Sequence, residues 1–290
     1  MKRLLSPKEL ADAIGVSESS LKRWADAGRL QVARTEGGHR RIPIAEAVRF
    51  IRDTGAVVVR PDLLGLIGVP AVNDARAAST LDERLYQALL VGDGPVVRAL
   101  VLGTYLQREA VARLADGPIR AAMTRLGELW RHDSQGIFLE HRATDLCVQA
   151  VVALRGLIEP PADGPVAVGG APELDPYILP SMLAAAVLAA AGLRTVNLGP
   201  ATPLASLRHA VAHHDARVVW LALTSTLPDA LVDDLGGFAR ELAAAGRTLI
   251  LGGQRRADAA AARRAVHVGS MSELAAFAAG LVAGRHDDGA

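Results

Sequence analysis

Cysteine is almost missing from this chain: its 290 residues contain one, Cys147. A lone thiol rules out a disulfide framework and a thiolate metal cluster, and it suits a reducing compartment, so a cytoplasmic protein is expected. Aromatic residues are scarce as well, at 3%, while half of the chain is hydrophobic and rich in Ala and Gly. That balance excludes a disordered chain and describes a helix-rich globular one, long enough for two or three domains with buried cores. No uninterrupted apolar run reaches the roughly 18 residues of a membrane span, and Leu183–Leu193 is too short for one. Lys2 and Arg3 precede too short an apolar stretch for a secretory signal. Neither GxGxxG nor a Walker Gly-Lys-Ser/Thr occurs, so no dinucleotide or nucleoside triphosphate is signalled. No Ser or Cys sits in a triad context, and no catalytic residue is expected.

Net charge is close to balanced at +1, but the signs are segregated. Residues 1–52 hold 11 Lys/Arg against 6 Asp/Glu, which leaves 21 against 25 for the rest. A basic head on a mildly acidic body implies an anionic partner for the head. Within it, Ser6-Pro7 followed by Glu9 predicts a capped helix start, with Leu10, Ala13 and Ile14 as its apolar face and Gly15 as its end. Ser17 then caps a second helix through Leu21, Trp24 and Ala25. Two short helices separated by a Gly-containing turn are a helix-turn-helix pattern. The outward face of the second helix offers Ser19, Ser20, Lys22 and Arg23, with Trp24 beside them, to base edges and phosphates. Beyond it, a strand-like QVART, the Gly37-Gly38 pair and the cationic His39-Arg40-Arg41 predict a hairpin wing on the phosphate backbone. A closing helix follows over Ala45–Ile51. Double-stranded DNA is the expected partner of residues 1–53.

Residues 54–79 read as a linker, because Gly55, Pro61, Gly65, Gly68 and Pro70 interrupt any period. Helical periodicity resumes at Leu81, Leu85, Leu89 and Leu90. It continues over Pro95–Gln107, Ala110–Trp130 with an expected break at Gly117-Pro118, and Gln135–Ile158. Four amphipathic segments with short connections predict a four-helix bundle over residues 80–160. Within it Trp130 closes one helix, nine residues follow, and Glu140-His141 open the next.

After Pro160-Pro161-Ala-Asp-Gly, the runs PVAVGG, RTVNLG, RVVWLALT and RTLILGG read as strands. Helical patterns over Ile178–Ala191, Pro203–His213 and Pro228–Ala245 separate them, and a weaker strand at Val266–Val268 and a last helix from Ser272 complete the series. Strict βα alternation predicts a parallel, flavodoxin-like (Rossmann-type) sheet over residues 161–290, covered on both faces. Its ligands belong at the carboxyl ends of the strands. The fold class expected for the whole chain is therefore multi-domain, α plus α/β.

The first fifty residues resemble the winged helix-turn-helix of the MerR family through LSPKELADAIGVSESSLKRWADAGRL and GGHRRI. They depart from it after the wing, where a long dimerising helix is replaced by a stretch rich in Val, Gly and Pro. The whole chain resembles the adenosylcobalamin-dependent photoreceptor repressors of the MerR type (the CarH/LitR kind), most specifically in Trp130, nine residues, Glu140-His141. That resemblance implies Trp130 and Glu140 against the adenosyl face of cobalamin and His141 as a cobalt ligand after photolysis. It also implies Ser225 and Leu227, in Thr224–Leu227, and Gly252-Gly253 around the nucleotide tail. One departure falls on the chemistry. Where the family has Glu/Asp-x-His-x-x-Gly, whose His is the lower cobalt ligand, this chain has Glu173-Leu174-Asp175-Pro176-Tyr177-Ile178. Asp175 stands at the His, a poor substitute on cobalt, and Tyr177 and Ile178 add bulk beside it.

Three outcomes stay open for the module: adenosylcobalamin or another cobalamin held by His141 or its own base, another tetrapyrrole-like or flat hydrophobic molecule, or no ligand and a role in assembly. The function expected is a DNA-binding transcriptional regulator, and by the resemblance a repressor, whose module senses ligand or light and sets homo-oligomerisation. The rivals are a ligand-free regulator of the same architecture and an accessory module of a cobalamin-dependent methyltransferase. The second lacks sequence for a substrate domain.

Overall fold

A computed structural model describes residues 4–66, 79–129, 134–255 and 263–287. The chain divides into two units, one of residues 1–110 with 117–159 and the other of 111–116 with 160–290. The expected class is found: a winged helix-turn-helix and a four-helix bundle in the first unit, a parallel α/β sheet in the second.

In the head, α1 (Pro7–Ile14) begins on a complete capping box between Ser6 and Glu9, with Pro7 in its first turn, and ends on Gly15 at φ 67°. Such a left-handed end suits Gly, which has no Cβ to clash. Ser17 caps α2 (Glu18–Asp26) by accepting from the Ser20 N–H. Three short strands, β1 (Leu4–Leu5), β2 (Ala33–Arg34) and β3 (Arg40–Pro43), form an antiparallel sheet in the order β1-β3-β2. The β2–β3 hairpin is the wing, and α3 (Ile44–Thr54) closes the head. Leu5, Leu10, Leu21, Leu30, Ile42, Phe50 and Ile51 fill its core.

Residues 55–66, read from sequence as linker, behave differently. Gly55 turns the chain back at φ 69°, and the N–H groups of Val59 and Arg60 donate to the carbonyl of Ala13. A short 3-10 turn, Pro61–Leu64, then packs on α1 with Val58, Leu64 and Leu66 buried. The interrupting Gly and Pro residues conceal three apolar anchors too irregularly spaced for a helix or strand period.

The bundle consists of α4 (Leu81–Val91), α5 (Gly94–Leu106), α7 (Arg120–Leu129) and α8 (Ser134–Arg155). Thr80 caps α4 and Asp93 caps α5. Leu85, Leu89, Leu100, Leu126, Cys147 and Leu154 are among the buried residues. A short helix, α6 (Val111–Leu114), runs into α7 through a π-helical turn over Ala115–Ile119 that contains Pro118. The break expected at Gly117-Pro118 is thus a local widening, which accommodates a residue without an N–H while the helix continues.

Head and bundle are fastened within the first unit. The Arg52 guanidinium, on α3, lies 3.8 Å from the centre of the Tyr105 ring, on α5. It donates to the carbonyls of Tyr105 and Glu109. Arg108, at φ 73°, donates back to the carbonyl of Asp53.

The second unit has β4 (Val166–Gly170), β5 (Arg194–Asn197), β6 (Val218–Ala222), β7 (Thr248–Gly252) and β8 (Val266–His267), all parallel, in the order β5-β4-β6-β7-β8. Counted from the first strand this is 2-1-3-4-5, the flavodoxin-like order. Apolar residues of α10 (Leu204–His214) and α11 (Asp229–Ala244) bury one face with Val168, Val219, Leu221 and Leu251. On the other side α9 (Leu179–Ala190) packs on β4, β5 and β6, and α12 (Met271–Asp287) packs on α9. Asp116 accepts from the first N–H groups of α12, at Met271 and Ser272 (2.9 and 2.8 Å).

Candidate functional site

The head presents one side of α2 and the wing to solvent. Ser19, Lys22 and Arg23 are exposed. Lys22 is paired on its own helix with Glu18 at 3.0 Å. The Ser20 hydroxyl is engaged with Ser17 at 2.9 Å and lies 3.3 Å from an Arg23 nitrogen, so it positions the helix start as well as facing out. Trp24 has an internal role in the head. It is half-buried with its ring 5.3 Å from that of Phe50, where it ties α2 to α3.

In the wing, Gly38 adopts φ 79°, and the turn closes with Gly38 N–H donating to Thr35 and Thr35 N–H to His39. His39 at the tip is exposed, and Arg41 is half-buried. Arg40 is less free than its sequence suggested: it pairs with Asp26 at 2.7 Å and so anchors the wing to the end of α2. Sequence reasoning passed over Arg34, which is exposed and pairs with Arg40 across the hairpin. Hairpin register was the signal for it, since a one-for-one pairing across the Gly turn brings these two cations side by side.

In the bundle, Trp130 lies outside the described residues. Glu140 and His141 lie in α8: His141 Nε2 is 3.7 Å from Glu140 Oε2, with the His side chain 76% exposed. Glu140 also accepts from the Thr144 hydroxyl at 3.1 Å.

The strand ends of the α/β unit hold the densest polar arrangement. The topology reverses between β4 and β6, where the loops after those strands diverge and ligands of such sheets bind. Asp175 occupies this point with 0% exposure. Its Oδ2 accepts from the N–H groups of Thr224 (2.6 Å) and Ser225 (2.9 Å), in the loop after β6. Its Oδ1 accepts from Tyr177 N–H at 3.2 Å. Its backbone takes part as well: Asp175 N–H donates to Pro172, and Ala201 N–H, in the loop after β5, donates to the Asp175 carbonyl. One residue thereby joins three strand-end loops. Leu174, just before it, is forced to φ 70° and stands 66% exposed.

Of the other expected ligand residues, Ser225 meets Asp175 through its backbone. Tyr177 turns its side chain to solvent. Leu227 is drawn into the core under α10 and α11. Gly252 ends β7, and Gly253, at φ 101°, lies so close to Leu223 that a Cβ would sit 2.3 Å from its carbonyl oxygen. The Gly pair thus serves backbone packing between the loops after β6 and β7.

As a place for a cobalt ion this set does not fit lower-face ligation. Both Asp175 oxygens receive backbone N–H groups and the side chain faces inward. Among the described residues no cluster of three or more His, Cys, Asp or Glu could hold a metal ion. Nor is any described helix long and apolar enough to cross a membrane.

Comparison with known proteins agrees with both halves of the first unit. Residues 4–54 match the family described as helix-turn-helix domain, and residues 81–155 match that described as B12 binding domain. The chain therefore combines a helix-turn-helix domain with a domain of the B12-binding type. No curated protein matches it. Among solved structures it is similar to the monomethylamine corrinoid protein of Methanosarcina barkeri, at 15% identity and a TM-score of 0.53, over 69% of this chain and 98% of that one. Lesser similarities are to a cobalamin-binding protein from Desulfitobacterium hafniense DCB-2 (18% identity, TM-score 0.35, 68% of this chain and 96% of that one) and to the methanol:cobalamin methyltransferase complex MtaBC from Methanosarcina barkeri (16%, 0.37, 92% and 93%). At such identities it is the fold that is shared, and that rests on the first of these.

Proposed function

We propose that this protein is a DNA-binding transcriptional regulator in which a corrinoid-type module controls how many DNA heads act together. The observation that carries the reading is a basic winged helix-turn-helix fused, in one unit, to a bundle of the B12-binding type. The exposed face of α2 enters the major groove with Ser19, Lys22 and Arg23, and the wing lies along phosphate with His39, Arg34 and Arg41. Heads brought together by self-association gain avidity without any change in their reading surface.

Repression, light response and the adenosyl form of the ligand belong to the same proposal and rest on the resemblance to MerR-type photoreceptor repressors. A corrinoid is the ligand class favoured by the bundle's family match, with Glu140 and His141 on the bundle as the residues to test against it. When bound, a corrinoid would supply a photolabile or exchangeable axial group. The protein's own part is to present α8 side chains to it and to couple the bundle to the head through Arg52. An accessory role in methyl transfer would account for the fold shared with the monomethylamine corrinoid protein, yet it leaves the DNA head without a purpose.

The test is binding to genomic DNA fragments by the full chain, selected and sequenced, with and without adenosylcobalamin, in darkness and after illumination, at two salt concentrations. Enrichment of defined operators with steep salt dependence supports the regulator. Absence of sequence-selected, salt-sensitive binding in every condition refutes it.

A further inference from the structure

The geometry points to a switch-point crevice that is closed by the protein's own side chains, with Asp175 as clasp and Trp220 as plug, so that the α/β unit admits no nucleotide-like tail and gives cobalt no ligand. The inference concerns the ligand state of the module and rests on the corrinoid-type reading above.

Two independent observations carry it. The first is the clasp. A buried carboxylate that accepts three backbone N–H groups ties the loop after β4 to the loop after β6, the two loops that must part for a ligand to enter between them. Charge-assisted hydrogen bonds of this kind are short and stronger than neutral ones. The chain also keeps Leu174 in the left-handed region beside the clasp, a conformation that persists only where the surroundings over-determine it.

The second is the plug. Trp220, at the middle of β6, is 2% exposed and points away from the core beneath α10 and α11, because its neighbours Val219 and Leu221 point into it. Its indole lies over Gly169 on the adjoining strand β4: a Cβ there would come within 2.2 Å of the ring. The space that a backbone-only residue leaves open is thus filled by the largest side chain in the repertoire. Its Nε1–H has no acceptor among the described residues.

The experiment uses the full-length protein. Hydroxocobalamin, and separately cobinamide, which lacks the nucleotide tail, are added, unbound corrinoid is removed by gel filtration, and absorbance and amide hydrogen exchange are read. Any cobalamin retained is expected to keep its own base on cobalt, and the amides of Tyr177, Thr224 and Ser225 are expected to exchange at the same rate with or without it. Retention with the base displaced, or altered exchange at those amides, would overturn the closed crevice. Retention of neither corrinoid leaves the crevice closed and sinks the corrinoid half of the proposed function, so the two readings fail separately. Asp175→Ala is expected to speed exchange at Thr224 and Ser225 by about tenfold or more, and Asp175→Asn, which keeps one acceptor oxygen, by less. Wild-type rates at those amides in the Ala variant would dispose of the clasp, provided circular dichroism shows it folded.

Discussion

Replacing Arg52 by Met should uncouple the DNA head from the bundle. The side chain is half-buried, stacks on Tyr105 at 3.8 Å and donates to two main-chain carbonyls at the end of α5. A partly desolvated cation–π contact contributes about 1 kcal/mol, and each hydrogen bond to a charged group about 1.5 kcal/mol. Against these stands the guanidinium's own desolvation, which is also what lowers its pKa. Met retains the aliphatic stem's packing but neither the charge nor the donors. The net loss is therefore about 2 kcal/mol, or roughly a 30-fold shift in the equilibrium between docked and undocked head. Hydrogen exchange measures it directly: amides at the end of α3, around Asp53–Gly55, should exchange about 30-fold faster in Arg52→Met, while those inside α1 stay unchanged. If those amides kept wild-type protection, or if α1 and α3 lost protection equally, the contact would not be a hinge between two bodies and the reasoning would fail.

Burial pushes the Cys147 thiol up to about 12; a folded-state value above the unfolded one means that its contribution is complete below about pH 8.5 and is lost as pH rises toward 12. Denaturant midpoints measured from pH 8 to 11 should fall more steeply for wild type than for Cys147→Ala, and parallel curves would contradict this. Arg34→Ala should weaken binding to all DNA sequences alike and reduce the slope of log affinity against log salt by about 1, and an unchanged slope would remove it from the phosphate surface. Gly253→Ala should destabilise the α/β unit by more than about 2 kcal/mol, since it adds left-handed strain to a contact too short to relax, and a thermal shift within 2 °C of wild type would disprove it. Leu174→Gly should instead stabilise that unit by about 0.5 kcal/mol, because the left-handed penalty of roughly 1–2 kcal/mol outweighs glycine's entropy, and a lowered midpoint would show that the exposed leucine is held by contacts of its own.

Much of this architecture was legible because local signals and burial agreed. Ser6, Glu9 and Gly15 write a helix start and stop that need no tertiary context, and the apolar runs PVAVGG, RVVWLALT and RTLILGG are short, continuous and end on Gly or Thr. The order of strands was not legible: alternation implies a parallel sheet, while only the structure places β4 between β5 and β6. Residues 55–66 were misread because buried Val58, Leu64 and Leu66 follow no period, so their anchoring depends on the shape of α1. The candidate ligand residues were harder still. Leu227 and Gly253 carry residue types that suit a cofactor loop and equally suit a core and a close backbone approach, and sequence cannot distinguish these uses. Asp175 was visible as an exchange of His for carboxylate, but its three N–H donors belong to residues up to 50 positions away. Arg40 likewise gives no sign in the sequence of its pairing with Asp26, 14 positions back.

The Arg52 contact bears on how assembly would be felt at DNA. If the head swung freely relative to the bundle, two associated copies would raise each other's effective concentration on DNA over a wide range of operator spacings. A head fastened to the bundle at Tyr105 and Glu109 moves with it, so whatever fixes the distance between two bundles also fixes the distance between two recognition helices. Half-sites would then be productive only at separations that match the assembly, in steps of one turn of DNA, about 10 base pairs. Inserting 5 base pairs between the half-sites of a selected operator should therefore abolish cooperative binding by wild type, and inserting 10 should restore part of it. Arg52→Met should tolerate both insertions. Equal tolerance of the 5-base-pair insertion by wild type would mean that the docked head seen here yields on DNA, and that assembly acts by tethering alone.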